Sequence, residues 1–400
     1  MRNVRRALAW IVRSAHMEWN ARRRTQRRLG AALLVAAALG LELSSGCGVD
    51  PLRPEPPPAG YLVGYVAGWE AQREIPAAKL HAVNFAFAHV VDGRVVLDQP
   101  GAGAALARVV LLKQANPKLK VLISVGGWGA DGFSDAAASE ASRSVFADSA
   151  ADLLLRTHTD GIDIDWEYPG LPGPGIKYRG EDRQNFTALL HAMHARFIRL
   201  SQEQERPYLL TAALADGEFV AHVELQQLDR YLNWINLMTY DFHNSLTMTT
   251  GHHAALVRSA TSSAAERSVE SAVEQLVAGG VSPGHIVVGV PFYGRAFAEV
   301  RDDNHGLDQP YGRYAGDYPW PKLKSDYIDR NGFTRHWDET AKVPYLWNAQ
   351  THEFISYDDP QSLALKACYV KARGLLGMMY WEQSHDPDGE LVDVLARNLR

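Results

Sequence analysis

The stretch Asp160–Gly170, DGIDIDWEYPG, sets four carboxylic acids within eight residues. Isoleucine and tryptophan alternate there with the acids, and Pro169-Gly170 closes the run, so it reads as a β-strand ending in a turn. Side chains two apart on a strand share a face. Asp163, Asp165 and Glu167 therefore point one way, and Ile162, Ile164 and Trp166 the other, which makes Trp166 a core residue. Asp160, at the start, reads as a structural acid or turn cap. Same-face residues begin about 6.6 Å apart, near enough for their carboxyls to hydrogen-bond along the row. Crowding and burial should raise at least one pKa and leave a protonated acid near neutral pH. A proton donor with anionic neighbours is what cleavage of a glycosidic bond requires.

Outward from this strand, apolar runs recur at Tyr61–Ala67, Ala82–Ala88, Val121–Val125, Leu209–Leu214, Trp234–Met238, Ile286–Pro291 and Leu375–Trp381. Segments of helical spacing lie between several of them. In Asp182–Leu200, the residues Phe186, Leu189, Leu190, Met193 and Phe197 recur at intervals of three and four. Eight strands with continuous apolar runs, each followed by a helix, predict an α/β fold, a (β/α)8 TIM barrel. A doubly wound open sheet is the alternative, opposed by the lack of a Gly-rich phosphate loop after the first strand. Between Pro291 and Gly374 lie roughly eighty residues, too many for one βα connection. They are rich in aromatics and carry strand-like patches, KVPYLWN and HEFISYDD, so we expect a small α+β subdomain at about 295–372, inserted between strands 7 and 8. That connection opens on the C-terminal face of a barrel, where active sites sit.

With 400 residues and 46% apolar residues, the chain can bury a large core, and a net charge of −5 gives no support to a nucleic-acid partner. The first thirty residues are rich in arginine and nearly free of acids, and the apolar run LGAALLVAAALGL follows at 29–41. Residues 1–47 read as an export signal. The run is shorter than the roughly 20 residues a membrane span needs, although a retained anchor is a competing reading. Cys47 follows Leu43-Ser44-Ser45-Gly46, similar to the cleavage box of bacterial lipoproteins, with the aliphatic residue one position too early. Lipidation at Cys47 and simple secretion both stay open. Residues 48–59, GVDPLRPEPPPA, form a proline-rich linker, and 60–400 one catalytic domain. Cys368, in a helical segment, reads as a small core residue. His252-His253 lacks a third ligand at suitable spacing, so no metal and no cofactor is expected. A monomer is expected.

Seven segments carry a family resemblance. DGIDIDWE resembles the D-G-x-D-x-D-x-E motif of family 18 glycoside hydrolases, the chitinase family. ISVGGW (123–128) is similar to the family's S-x-G-G element, and LMTYDF (237–242) to its M-x-Y-D element. GYVAGWEAQR (64–73), HAVNFAFA (81–88), GVPFYGRAF (289–297) and GMMYWEQSHD (377–386) resemble its first, second, seventh and eighth strands, in order over about 60–400. The resemblance implies a retaining chitinase whose substrate supplies the nucleophile. In it Glu167 is the general acid, and Asp165 holds the 2-acetamido group. Asp163 is the hydrogen-bonded partner of Asp165, and Tyr240 orients the acetamido group. It places Tyr65, Trp69, Phe87, Gly127, Trp128, Met238, Asp241, Tyr293, Arg295 and Trp381 around the substrate. Trp381 would be the floor under the distorted sugar, while Ser124 and Gly126 would give tight packing near the acids. Chitin or chito-oligosaccharides are the implied partner, bound by the cleft itself because no further carbohydrate-binding module is recognised. Three rivals remain: an oxygen-ligand metal site on the acidic row, a sugar-binding protein without catalysis, and a family 18 hydrolase of N-glycans or peptidoglycan.

Overall fold

A computed structural model describes residues 60–400, except Gln72, Arg73 and Ala264. The expected export signal, Cys47 and linker lie outside the described residues. Nine strands precede the insertion or frame it: β1 (Tyr61–Ala67), β2 (Ala82–Val91), β3 (Arg94–Val96), β4 (Lys120–Gly126), β5 (Gly161–Asp165), β6 (Leu209–Leu214), β7 (Trp234–Leu237), β8 (Ile286–Pro291) and, near the end of the chain, β14 (Gly377–Trp381). All but β3 are parallel and run in the order β1-β14-β8-β7-β6-β5-β4-β2, with β1 pairing β2 to close the barrel. β3 only extends β2 as a hairpin. Closure removes the open-sheet alternative.

Each barrel strand is buried on both faces because each faces two cores, although β5 turns the acids Asp163 and Asp165 inward. Along β1, Tyr61, Val63 and Tyr65 point into a central cluster with Leu122, Trp234, Val287 and Met379. Leu62 and Val66 join the layer between strands and helices. β5 divides as its sequence predicts: Ile162 and Ile164 lie in that outer layer, continued by Trp166, which stacks on Phe133 with ring centroids 5.4 Å apart. The helix Asp182–Gln204 buries the anticipated Phe186, Leu189, Leu190, Met193 and Phe197 against it. Asp160 anchors the start of β5 as a structural acid. It accepts the Val121 backbone N–H at 2.8 Å and pairs with Lys113 at 2.5 Å and Arg206 at 3.3 Å.

Two residues beyond β8 the chain enters a second, antiparallel sheet. It comprises β9 (Tyr293–Ala298), β10 (Arg313–Pro319), β11 (Thr334–Asp338), β12 (Val343–Asn348) and β13 (Glu353–Ser356), ordered β10-β9-β13-β12-β11. Phe297, Val300, Leu307, Tyr345, Trp347 and Phe354 form its own small core. The last part of the expected insertion belongs elsewhere: the helix Pro360–Ala372 packs on the helix Glu390–Leu399 and leads into β14, as a barrel helix does. Cys368 on that helix is exposed, contrary to the expectation of a core position. The buried stripe is Ser362, Leu363, Lys366, Ala367 and Val370, and the Lys366 ammonium meets Asp358 at 2.5 Å. A lysine in the buried stripe disguised which face was inward.

Candidate active site

β5 delivers Asp163 and Asp165 into the barrel interior, and Glu167 follows just past the end of the strand. Asp163 is fully buried and its two oxygens are taken by four donors. Tyr65 Oη and Ser124 Oγ donate to one oxygen at 2.8 Å each, and Thr211 Oγ1 and Asn236 Nδ2 to the other at 2.6 and 3.0 Å. Burial raises its pKa and the four hydrogen bonds work against that. Among the described residues no hydrogen bond joins Asp163 to Asp165, so the expected bonding along the acidic row is not made. Donors from four other strands around the barrel satisfy Asp163 instead, a better solution for a buried carboxylate than a second carboxylate.

Asp165 is buried, and its Oδ1 has no hydrogen-bond partner among the described residues. Burial raises its pKa well above the usual carboxylate range, with the charges of Glu167 and Asp163 adding to the effect. Glu167 is partly buried at the rim. Burial pushes its acid up to about 7, helped by the charge of Asp241 and opposed by a hydrogen bond with the Tyr168 hydroxyl. The row thus holds a protonated acid at the rim near neutrality. Gly126 permits the tight approach of β4, because a side chain there would collide with the Asp165 carbonyl. At Gly127 a Cβ would come within 2.7 Å of the Phe87 ring.

Met238, Tyr240 and Asp241 follow β7 and line the same end. Burial keeps the Tyr240 hydroxyl neutral, reinforced by the charges of Asp165 and Asp241. Asp241 accepts from Tyr293 Oη at 2.7 Å and Arg295 Nε at 2.8 Å, while His253 Nδ1 lies 3.5 Å away. Burial works to raise its pKa, but the nearby His253 ring and the hydrogen-bonded Arg295 guanidinium hold it well below the usual range. Arg295 continues to Tyr314 Oη at 2.8 Å and Asp317 at 2.7 Å on β10, which ties the insertion to the barrel rim. His252 pairs with Asp338 at 3.1 Å, so the two adjacent histidines serve different carboxylates. Among the described residues no cluster of three or more His, Cys, Asp or Glu is arranged to hold a metal ion.

Trp381, at the end of β14, stacks near Phe87 and leans on Tyr65, each 5.7 Å between centroids. Phe87, Met238, Tyr240 and Trp381 are the partly buried side chains that cap the central core, and so they form the floor of the open end. Tyr65 and Tyr293 differ from expectation: both are buried, with their hydroxyls committed to Asp163 and Asp241. They hold acids in place beneath the surface rather than lining it. Trp69 and Trp128 stand exposed at 56% and 59%, on the turns after β1 and β4. Trp128 meets Tyr168 edge-on at 6.3 Å, and Tyr168 packs on Phe219 at 4.1 Å.

Residues 61–386 match the family model for glycosyl hydrolases family 18. The chain belongs to glycosyl hydrolase family 18. It is 40% identical over 318 residues to chitinase A1 of Niallia circulans, an alignment covering 76% of this chain and 45% of that protein's own length. It is 33% identical over 343 residues to chitotriosidase-1 of Mus musculus, covering 81% and 72% of the two chains. A solved family 18 N-acetylglucosaminidase from Paenibacillus barengoltzii superposes with a TM-score of 0.80 at 39% identity, over 85% of this chain and 99% of that one.

Several residues of this family 18 site escaped the sequence reading. Thr211 and Asn236 carried a signal, since each is a lone polar residue inside an apolar strand and so demands a buried partner. Tyr314 and Asp317 carried none: their approach to Arg295 depends on the β9–β10 pairing, which nothing in the local pattern specifies. Tyr168 was passed over because it follows Glu167 out of the strand, where alternation no longer assigns a face.

Proposed function

We propose that this family 18 hydrolase cleaves β-1,4 bonds between N-acetylglucosamine units of chitin or chito-oligosaccharides, with retention and with the substrate's acetamido group as nucleophile. The observation that carries the reading is the pair at the rim: a Glu167 acid pushed up to about 7 beside a buried Asp165 oxygen without a partner. The relatives named chitinase A1 and chitotriosidase-1 support the substrate class.

Glu167 gives its proton to the glycosidic oxygen as the C1–O bond breaks. The acetamido carbonyl oxygen attacks C1 and closes an oxazolinium ring. The acetamido N–H donates to the open Asp165 oxygen, and that oxygen steadies the cation that forms. Tyr240 orients the acetamido group, and Trp381 supports the apolar face of the reacting sugar. Glu167, now a carboxylate, takes a proton from water as that water attacks C1 and reopens the ring. Two displacements restore the β configuration. Asp163, clamped by four donors, fixes the strand that carries Asp165. Asp241, held ionised by His253 and Arg295, keeps the Glu167 proton in place through its charge.

The arginine-rich leader and the following apolar run support export, with the mature chain either secreted or anchored through lipid at Cys47. Because the Paenibacillus relative is described as an N-acetylglucosaminidase, removal of single terminal sugars is a second reading of the same chemistry. Products from a chito-oligosaccharide ladder decide. Dimers or mixed lengths support the chitinase, monomer alone from every length supports the second reading, and an uncut ladder rejects both.

A further inference from the structure

Two adjacent residues of opposite charge, Glu266 and Arg267, each grip a different loop of the catalytic face. Arg267 Nε lies 3.1 Å from both oxygens of Asp216, and its Nη2 also bonds that carboxylate. Asp216 is buried just beyond β6. Above the same guanidinium, 4.8 Å from its carbon, is the ring of Phe242, the residue after Asp241. On another side, at 6.0 Å, is Phe219. Phe219 packs at 4.1 Å on Tyr168, the neighbour and hydrogen-bond partner of Glu167. Glu266 meets His243 Nε2 at 2.6 Å, while His243 Nδ1 lies 3.0 Å from the Thr249 carbonyl. The loops after β6 and β7 are thus fastened to one dipeptide, which a serine cap and the helix Val269–Ala278 hold in place from the other end.

We propose that Glu266 and Arg267 are positioning residues for the reaction: a clasp that sets Tyr168 and Asp241, and through them the proton donor Glu167. This rests on the reading of Glu167 as the acid. The bidentate fork and flat face of arginine suit the task, since one group pairs a carboxylate and packs two rings. The loop after β7 is long and irregular, the one after β6 is a 3-10 turn at Gly217–His222, and the Arg267 guanidinium packs against a phenylalanine from each. Displacement of Tyr168 removes the hydrogen bond that holds the Glu167 acid down. Asp165, Tyr240 and Asp241 also face that acid, and the clasp touches only the last of them, through the backbone.

Two variants test the clasp. Arg267→Lys keeps a charge opposite Asp216 but supplies neither the fork nor the flat face. The double variant Asp216→Asn with Arg267→Gln removes the ion pair without stranding a buried charge. Both should unfold cooperatively. With each, kcat/KM on chitohexaose should fall about ten- to a hundredfold, as misplacement near the reacting atoms does. The titration of the Glu167 carboxyl, followed by carbon-13 NMR without substrate, should move to higher pH. The NMR readout does not depend on turnover, so a wild-type protein that cuts no chito-oligosaccharide rejects the functional reading alone. A Glu167 titration unchanged in both folded variants rejects the clasp. If both variants fail to fold, the pair is a stability element and the positioning role is rejected as well.

Discussion

Replacing Glu167 by glutamine should stop turnover and make the protein more stable above neutral pH. The folded protein raises this acid from 4.5 to about 7, chiefly by burial. A group whose folded pKa lies above its unfolded one stabilises the fold fully below the unfolded value. That contribution fades as pH rises from about 4.5 towards 7, because the folded state must then hold a buried charge. A displacement of this size corresponds to about 3 kcal/mol, and to about 2 kcal/mol once the solvent contact of the rim is allowed for. Glutamine mimics the protonated acid, so the two proteins should match at low pH and diverge on the alkaline side. Removing the Glu167 charge also eases the ionisation of Asp165, which adds in the same direction. Urea unfolding of both proteins at about pH 4.5 and about pH 8.5 measures the gap. An equal gap at both values, or a variant less stable at the higher one, would refute the claim that Glu167 is held protonated by its surroundings.

Asp163→Ala strips four buried donors of their acceptor and should cost about 3–5 kcal/mol in urea unfolding, whereas Asp163→Asn, which keeps the shape, should cost less than half of that. Asp241→Asn removes a charge that raises the Glu167 acid, so the alkaline limb of kcat/KM should shift to lower pH; an upward shift would contradict the assignment. Cys47→Ser should block processing or release the protein from membranes if the leader is of lipoprotein type, and intact mass of the exported chain distinguishes this from plain secretion.

The barrel was legible because its strands are continuous apolar runs, and three of them begin and end where the periodicity places them: β1, β6 and β8. The facing of the acids on β5 was legible because a strand has a fixed period of two. What the alternation could not supply was which neighbour each acid would meet. Asp163 found donors on β1, β4, β6 and β7, a relation set by barrel register rather than by local sequence. Tyr65 and Tyr293 show the same limit: their places in the family motifs put them at the site, but only packing decides whether a ring lines the surface or lies beneath it. Cys368 was misjudged because the buried Lys366–Asp358 pair breaks the apolar stripe by which a helix face is recognised.

The central claim, that the substrate's acetamido group and no enzyme carboxylate bonds to the sugar, is tested most directly by the configuration of the first-formed product. Proton NMR in the opening minutes of chito-oligosaccharide hydrolysis, before mutarotation, reads the new anomeric centre. The arrangement of Glu167, Asp165 and Tyr240 predicts initial release of the β anomer. Initial release of the α anomer would mean direct attack by water and would contradict the mechanism.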